Sequence, residues 1–216
     1  MSEIEYNEFH HGQVRVECIL PIQILQELEI TRRTNEHGSL LVKGILDERG
    51  KDIIQRVGSK EPIIVYGKND SGERVLFSGV ISETDLCFRN GIYYVTIKGL
   101  SWSSLLDYKK KNRSFQNKAM SYSSVIHTVL EDYADSICLY GISDSEQSIG
   151  QFVLQYRETD WEFCKRLATH FNTCLVADIF GNGPRFHFGL PKKVEKLSSI
   201  ESVVVKRDDA SYQQAL

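Results

Sequence analysis

Residues 152–171, FVLQYRETDWEFCKRLATHF, change hydrophobic period in the middle, and this change limits what the chain can fold into more than any other feature. Phe152, Leu154 and Tyr156 recur every second residue, the spacing of one face of a strand. From Trp161 the apolar positions are Trp161, Cys164, Leu167, Ala168 and Phe171, spaced by three and four along one stripe of a helix. Between them Thr159 stands three residues before Glu162. That pattern is a capping box, in which the threonine oxygen accepts from a first-turn amide and the glutamate reaches back to the threonine amide. The helix is therefore expected to begin near Asp160, with Asp160 and Glu162 at its positive end. CLVADIF and RFHFGLP then alternate around GNGP, a return in which glycines supply positive backbone angles. The unit reads as strand, helix, hairpin.

An acidic helix start also suits a catalytic carboxylate pair, but the cap accounts for Asp160 and Glu162 without chemistry, and no nucleophile or metal cluster stands nearby in sequence. Cys164, His170, Cys174 and His187 are the one grouping of metal-capable side chains in a single region. Their spacing fits no common zinc pattern, and both thiols fall at apolar positions, so core thiols are expected. A Cys164–His170 nucleophile pair fails because positions six apart do not share a helix face. The expected catalytic, metal and cofactor inventory is therefore empty.

The five cysteines, Cys18, Cys87, Cys138, Cys164 and Cys174, are odd in number and contain no CxxC pair, as for buried thiols of a protein folded in reducing cytosol. Charged residues make up 25% of the 216 and the formal net charge is −3, which favours neither disorder nor a bulk nucleic-acid-binding surface. No apolar run approaches the ~20 residues of a membrane helix, and the leader MSEIEYNEFHHG is acidic and polar, with His10 and His11 expected to be exposed.

From Val14 to Leu100 the sequence reads as successive strands: VRVECIL, ILQELEITRR, SLLVKGIL, PIIVYG, RVLFSGVIS, DLCFR and IYYVTIKG. Asn90-Gly91 between the last two suits a two-residue hairpin turn. Short antiparallel strands with turn signals argue for a small barrel or sandwich, in which closure removes exposed edges. DERGKDIIQRVGSKE interrupts the strands with a possible short helix. Tyr66, Phe77, Tyr93 and Tyr94 lack the interleaved cations of a nucleic-acid stacking platform and read as core or seam residues. From about residue 100 the pattern turns helical, with Trp102, Leu105 and Leu106 on one side, then Ser121 capping a helix whose apolar face is Val125, Ile126, Val129, Leu130 and Tyr133. ADSICLYGISDSEQSIG reads as a looser connection that matches no phosphate loop. The run KKKNR, Lys109 to Arg113, reads as a solvated helix end.

QYRETDWEFCKRL resembles the YRESDWDF-type segment of the hub proteins of contractile injection machines: VgrG-like spike proteins of type VI secretion, late control protein D of phages, and the tail hubs of phages and bacteriocins. LLDYKKKNRSFQNKAMSYSSVIHTVLEDY is similar to the segment these proteins carry before it. The matching positions include Leu105, Leu106, Arg113, Phe115, Gln116, Val125, Leu130, Tyr156, Arg157, Glu158, Asp160, Trp161, Phe163 and Leu167, and the resemblance covers about Gly99 to Pro191. It implies that Arg113 pairs with a carboxylate within the domain. The structural motif it carries over comprises Arg113, Phe115, Tyr156, Arg157, Glu158, Thr159, Asp160, Trp161, Glu162 and Leu167.

The expected fold class is α+β: an N-terminal antiparallel β-barrel over residues 1–99, an α/β domain over 100–191, and over 192–216 the start of a second barrel, with one convincing strand at Ser202 to Lys206. On this reading the chain is the front portion of a longer protein. The resemblance implies a non-enzymatic structural hub that acts as a homotrimer in the baseplate and joins a hexameric tail tube to a trimeric spike. It is made in the cytoplasm, contacts other baseplate proteins, and has no cofactor, nucleic acid or membrane insertion of its own. The alternative reading is a stand-alone β-barrel binding module for carbohydrate or single-stranded nucleic acid.

Overall fold

The computed structural model describes residues 14–46, 58, 60–69, 72–142, 145–191 and 200–206. The leader with His10 and His11, and most of DERGKDIIQRVGSKE, lie outside the described residues. The chain forms two compact units, each with its own core. The first comprises the described residues of Met1–Arg32, Gly38–Ser101 and Ser198–Leu216, and the second those of Arg33–His37 and Trp102–Leu197.

The first unit is a curled antiparallel half-barrel. Its strands are β1 (Val14–Cys18), β2 (Ile22–Arg33), β3 (Ser39–Leu46), β4 (Pro62–Asn69), β5 (Gly72–Arg89), β6 (Ile92–Ser101) and β12 (Ile200–Lys206), in the order β1-β4-β5-β6-β3-β2-β12. Alternation places one face of each strand in the core. Leu28, Val42 and Ile97 lie side by side across β2, β3 and β6, and all three are buried. Ile63, Val65, Phe77, Val80 and Val95 continue that interior. RVLFSGVIS and DLCFR, read as separate strands, are one 18-residue strand β5, with register shifts where it passes from β4 toward the hairpin. Asn90 and Gly91, at φ 51 and 79, make the expected two-residue turn. At Gly79 the backbone of β6 approaches so closely that a Cβ would stand 2.1 Å from the Leu100 carbonyl oxygen, so only glycine fits. Strand β12, read from the sequence as the opening of a second barrel, stands beside β2, where it covers an edge that would otherwise be open.

The second unit packs two helices, a three-stranded sheet and a two-stranded ribbon around one core. A 3₁₀ turn (Trp102–Asp107) leads into β7 (Lys111–Phe115), α1 (Tyr122–Leu130), β8 (Ile137–Tyr140), β9 (Val153–Glu158), α2 (Asp160–Thr169), β10 (Leu175–Ala177) and β11 (Arg185–Phe188). β7 and β9 form an antiparallel ribbon. β11 pairs antiparallel with β10 and parallel with β8. β8 corrects the looser connection expected at ADSICLYG: four residues are too few for a clear period, and the partner strand lies 45 residues downstream. Ser121 caps α1 as expected, and Val125, Ile126 and Val129 are fully buried. They meet Trp161, Phe163, Cys164 and Leu167 of α2 and Leu175, Phe186 and Phe188 of the strands. Phe163 stacks on Phe115 at 5.9 Å, and Trp161 meets Phe186 edge-on at 5.5 Å.

A candidate structural site: the clamp at the strand–helix junction

The capping box forms as the sequence predicts. The Thr159 hydroxyl accepts from the Glu162 amide at 3.1 Å, and the Glu162 carboxylate accepts from the Thr159 amide at 2.9 Å. Asp160, the first helical residue, is 0% exposed. A carboxylate so enclosed is stable only when its acceptor positions are filled, and four donors fill them. Oδ1 accepts from Arg113 Nη1 at 2.5 Å and Gln155 Nε2 at 2.8 Å; Oδ2 accepts from Lys111 Nζ at 2.7 Å and the Tyr133 hydroxyl at 2.5 Å. Asp132 completes the charge balance, bound by Lys111 at 2.7 Å and Arg113 at 2.6 Å. Two cations thus face two carboxylates, and the cluster ties β7, the segment after α1, β9 and α2 to one point.

The electrostatics follow from the contacts. Burial raises the pKa of Asp160, but the hydrogen bonds from Arg113, Gln155, Lys111 and Tyr133 outweigh it and hold the carboxyl below its usual value. Burial, reinforced by the bond to Asp160, pushes the Tyr133 phenol up to about 12. Burial opposes the charge on Lys111 and Arg113, yet their carboxylate partners raise both above the ordinary values.

A second set of bonds reaches the same helix start. His37 Nδ1 lies 2.9 Å from the Ser103 hydroxyl and its Nε2 lies 2.8 Å from Asp107 Oδ2. The Thr159 hydroxyl donates to the other oxygen of Asp107. Burial pushes the Asp107 carboxyl up, but His37 and Thr159 bring it net below its usual value. The His37 ring rests 4.5 Å from Trp161, whose indole Nε1 donates to the Asn35 carbonyl at 3.3 Å. A Ser-His-Asp set invites comparison with a hydrolase triad, but Ser103 is fully buried and its hydroxyl has no route to a substrate. The arrangement is a bolt between residues 33–37, the 3₁₀ turn and α2.

The ten residues of the sequence motif divide into three groups. Arg113, Thr159, Asp160 and Glu162 meet at the helix start, and Phe115, Trp161 and Leu167 enter the core. Glu158 binds Arg166 at 2.9 and 2.8 Å on the flank. Tyr156 and Arg157 point away, with the Arg157 guanidinium 5.5 Å from the Tyr156 ring centroid. Asp132, Gln155, His37 and Asp107 were not singled out by sequence; Lys111 was read only as part of the run KKKNR, and Tyr133, read as part of a helix's apolar face, lies beyond the end of α1 at Leu130 and donates its hydroxyl to Asp160. The solvated helix end expected at KKKNR is corrected: Lys111 and Arg113 lie on strand β7, two apart and so on one side, with side chains 18% and 17% exposed. The shared period of two was the available signal. Cys164 is fully buried, and burial lifts the Cys138 thiol to about 12. His170 bonds the Tyr122 hydroxyl at 2.6 Å, and among the described residues no group of metal-capable side chains gathers.

Residues 53–171 match the family of phage tail baseplate hub proteins (GPD). The chain belongs to this baseplate hub family. Solved structures agree with the hub fold. The type VI secretion component c3393 of E. coli, described as similar to the T4 bacteriophage tail proteins gp27 and gp5, superposes at a TM-score of 0.60 with 13% identity, over 80% of this chain and 48% of that one. The 43 kDa tail protein of prophage MuSo2 from Shewanella oneidensis gives 0.62 and 14%, over 81% and 52%. The tail protein from Neisseria meningitidis MC58 gives 0.57 and 10%, over 81% and 50%. The hub chain thus spans about half the length of the solved structures it matches. No curated protein matches it.

Proposed function

We propose that this chain is the part of a tail hub that seats a hexameric tail tube on a trimeric spike, as one of three copies in the baseplate of a phage tail, bacteriocin or type VI-like particle. The family match over residues 53–171 carries the reading. The physics of the second unit is consistent with it. A hub transmits load when the sheath contracts, and the clamp at Asp160 joins four elements of the unit through charge-assisted bonds in a low-dielectric setting. In this reading the role is structural, which is supported by the family match and consistent with a buried Asp160 carboxylate whose two oxygens both accept hydrogen bonds and with the burial of Ser103. The chain is made in the cytoplasm and becomes part of the particle, and no helix among the described residues is long and apolar enough to cross a membrane.

Deleting the coding region in a producing strain tests the proposal. Sheaths and tubes should then fail to assemble on spikes, and expression of the protein from a second copy should restore whole tails. Normal tails without the protein would refute it.

A further inference from the structure

An open sheet edge invites a further strand, and proteins ordinarily guard it with charge or with a covering segment. Two edges of this molecule carry such a guard. β1, at one end of the seven-stranded sheet, displays the exposed Arg15 and Glu17, and Arg15 is bound through Nε and Nη2 to Glu73 at 3.0 and 2.9 Å. β10 is covered: the Asn35 amide donates to the Leu175 carbonyl at 2.7 Å, and Thr34 bridges to Val176. β8, the last strand in the order β10-β11-β8, has neither protection among the described residues.

The backbone of β8 is directed. The Ile137 amide donates to the Pro184 carbonyl and the Gly141 amide to the Phe188 carbonyl, each at 2.9 Å. In a parallel ladder alternate residues give both backbone groups to one neighbour, so Ile137 and Leu139 serve β11 while Cys138 and Tyr140 turn their amides and carbonyls to the open side. The side chains are the reverse of a guard. Cys138 and Tyr140 pack against the core, whereas Ile137 and Leu139, on the outer face, are 39% and 36% exposed. Leu190, 53% exposed, stands at the end of this row, because the chain after β11 runs so close to β8 that a Cβ on Gly141 would lie 2.1 Å from the Leu190 carbonyl oxygen. Unpaired backbone groups and apolar side chains at a period of two are together what an incoming strand recognises: the backbone supplies affinity and the alternate side chains selectivity.

We infer that β8 accepts an extended strand from a different protein of the particle, one whose apolar residues alternate so as to cover Ile137 and Leu139. Symmetry selects a different protein over a second copy of this chain. Pairing β8 with β8 of another copy uses the same edge on both sides, which is a two-fold contact, and a ring of three copies contains no two-fold axis. In another copy β1 and β10 are guarded in the same way. Strand addition at β8 rests on the hub reading, which supplies both the particle and the three copies.

The test places the photoreactive residue benzoylphenylalanine at Leu139 and, as a control, at the exposed Glu131 after α1, in the full chain expressed in a producing strain that lacks its own copy. In purified tails, irradiation should link position 139 to a segment of one other protein with apolar residues at alternate positions, in a yield above that from 131. Hydrogen exchange separates strand addition from mere contact: the amides of Cys138 and Tyr140 should exchange fast in the isolated chain and slowly in tails. Ile137→Asp, with an unchanged thermal melt, should lower the cross-link from 139 about tenfold, as ~1.4 kcal/mol of lost attraction produces. Equal yields from 139 and 131, a link to a second copy of this chain, indifference to Ile137→Asp, or unprotected amides in tails would each overturn the inference while leaving the hub reading intact. Absence of the chain from tails would instead fail the hub reading, and strand addition with it.

Discussion

Replacing Asp160 by Asn removes the one group that four donors share. The side chain keeps its size, but its amide nitrogen cannot accept, and Lys111 and Arg113 lose their buried counter-charge. Removing one partner of a buried ion pair costs about 3–5 kcal/mol. Here Asp132 still faces both cations, and their side chains retain 17–18% exposure, so about 2–4 kcal/mol is the expected loss at pH 7. Urea unfolding followed by tryptophan fluorescence measures it, with an unchanged slope as the sign that only stability moved. The pH dependence gives an independent readout. Asp160 is held below its usual 3.8, so its contribution is complete above that value and is lost as the pH falls from about 3.8 through the lower value of the folded protein. The parent should therefore lose more stability than Asp160→Asn in that acid range, and the two curves should converge. A loss below about 1 kcal/mol at pH 7, or parallel acid curves, would show that the clamp does not support the fold.

Trp161→Ala should cost about 3–5 kcal/mol, since the indole is buried against His37 and Phe186, and a thermal melt measures it. Thr159→Ala removes the cap and the bond to Asp107 together, and should cost about 1–2 kcal/mol by denaturant titration. Elemental analysis of the purified protein should find no stoichiometric zinc; an equivalent lost in Cys164→Ser would refute the reading of that thiol as a core residue.

Local chemistry was legible in the sequence where neighbours decide the structure. The capping box at Thr159, the Asn90-Gly91 turn, the Ser121 cap and most strands of the first sheet each follow from residues a few positions apart. What could not be read depends on partners far along the chain. A period of two in β9 shows that it has two faces but not which is inward, and the buried ion cluster, with donors 42 to 49 residues away, chose the face carrying Gln155. The same cluster drew KKKNR into a strand, although its composition suits a solvated helix end. β8 escaped notice because its ladder is parallel and distant; the strand at Ser202 to Lys206 was read, but not its place in the sheet, because nothing in its residues names β2 as the neighbour.

The most direct test of the hub assignment is an electron-microscopic reconstruction of intact particles from a producing strain. This chain should stand directly beneath the first tube ring, in three copies related by three-fold symmetry, with its half-barrel continuing the channel wall and the spike below. Density for the chain elsewhere in the particle, or particles complete without it, would refute the tube-to-spike role.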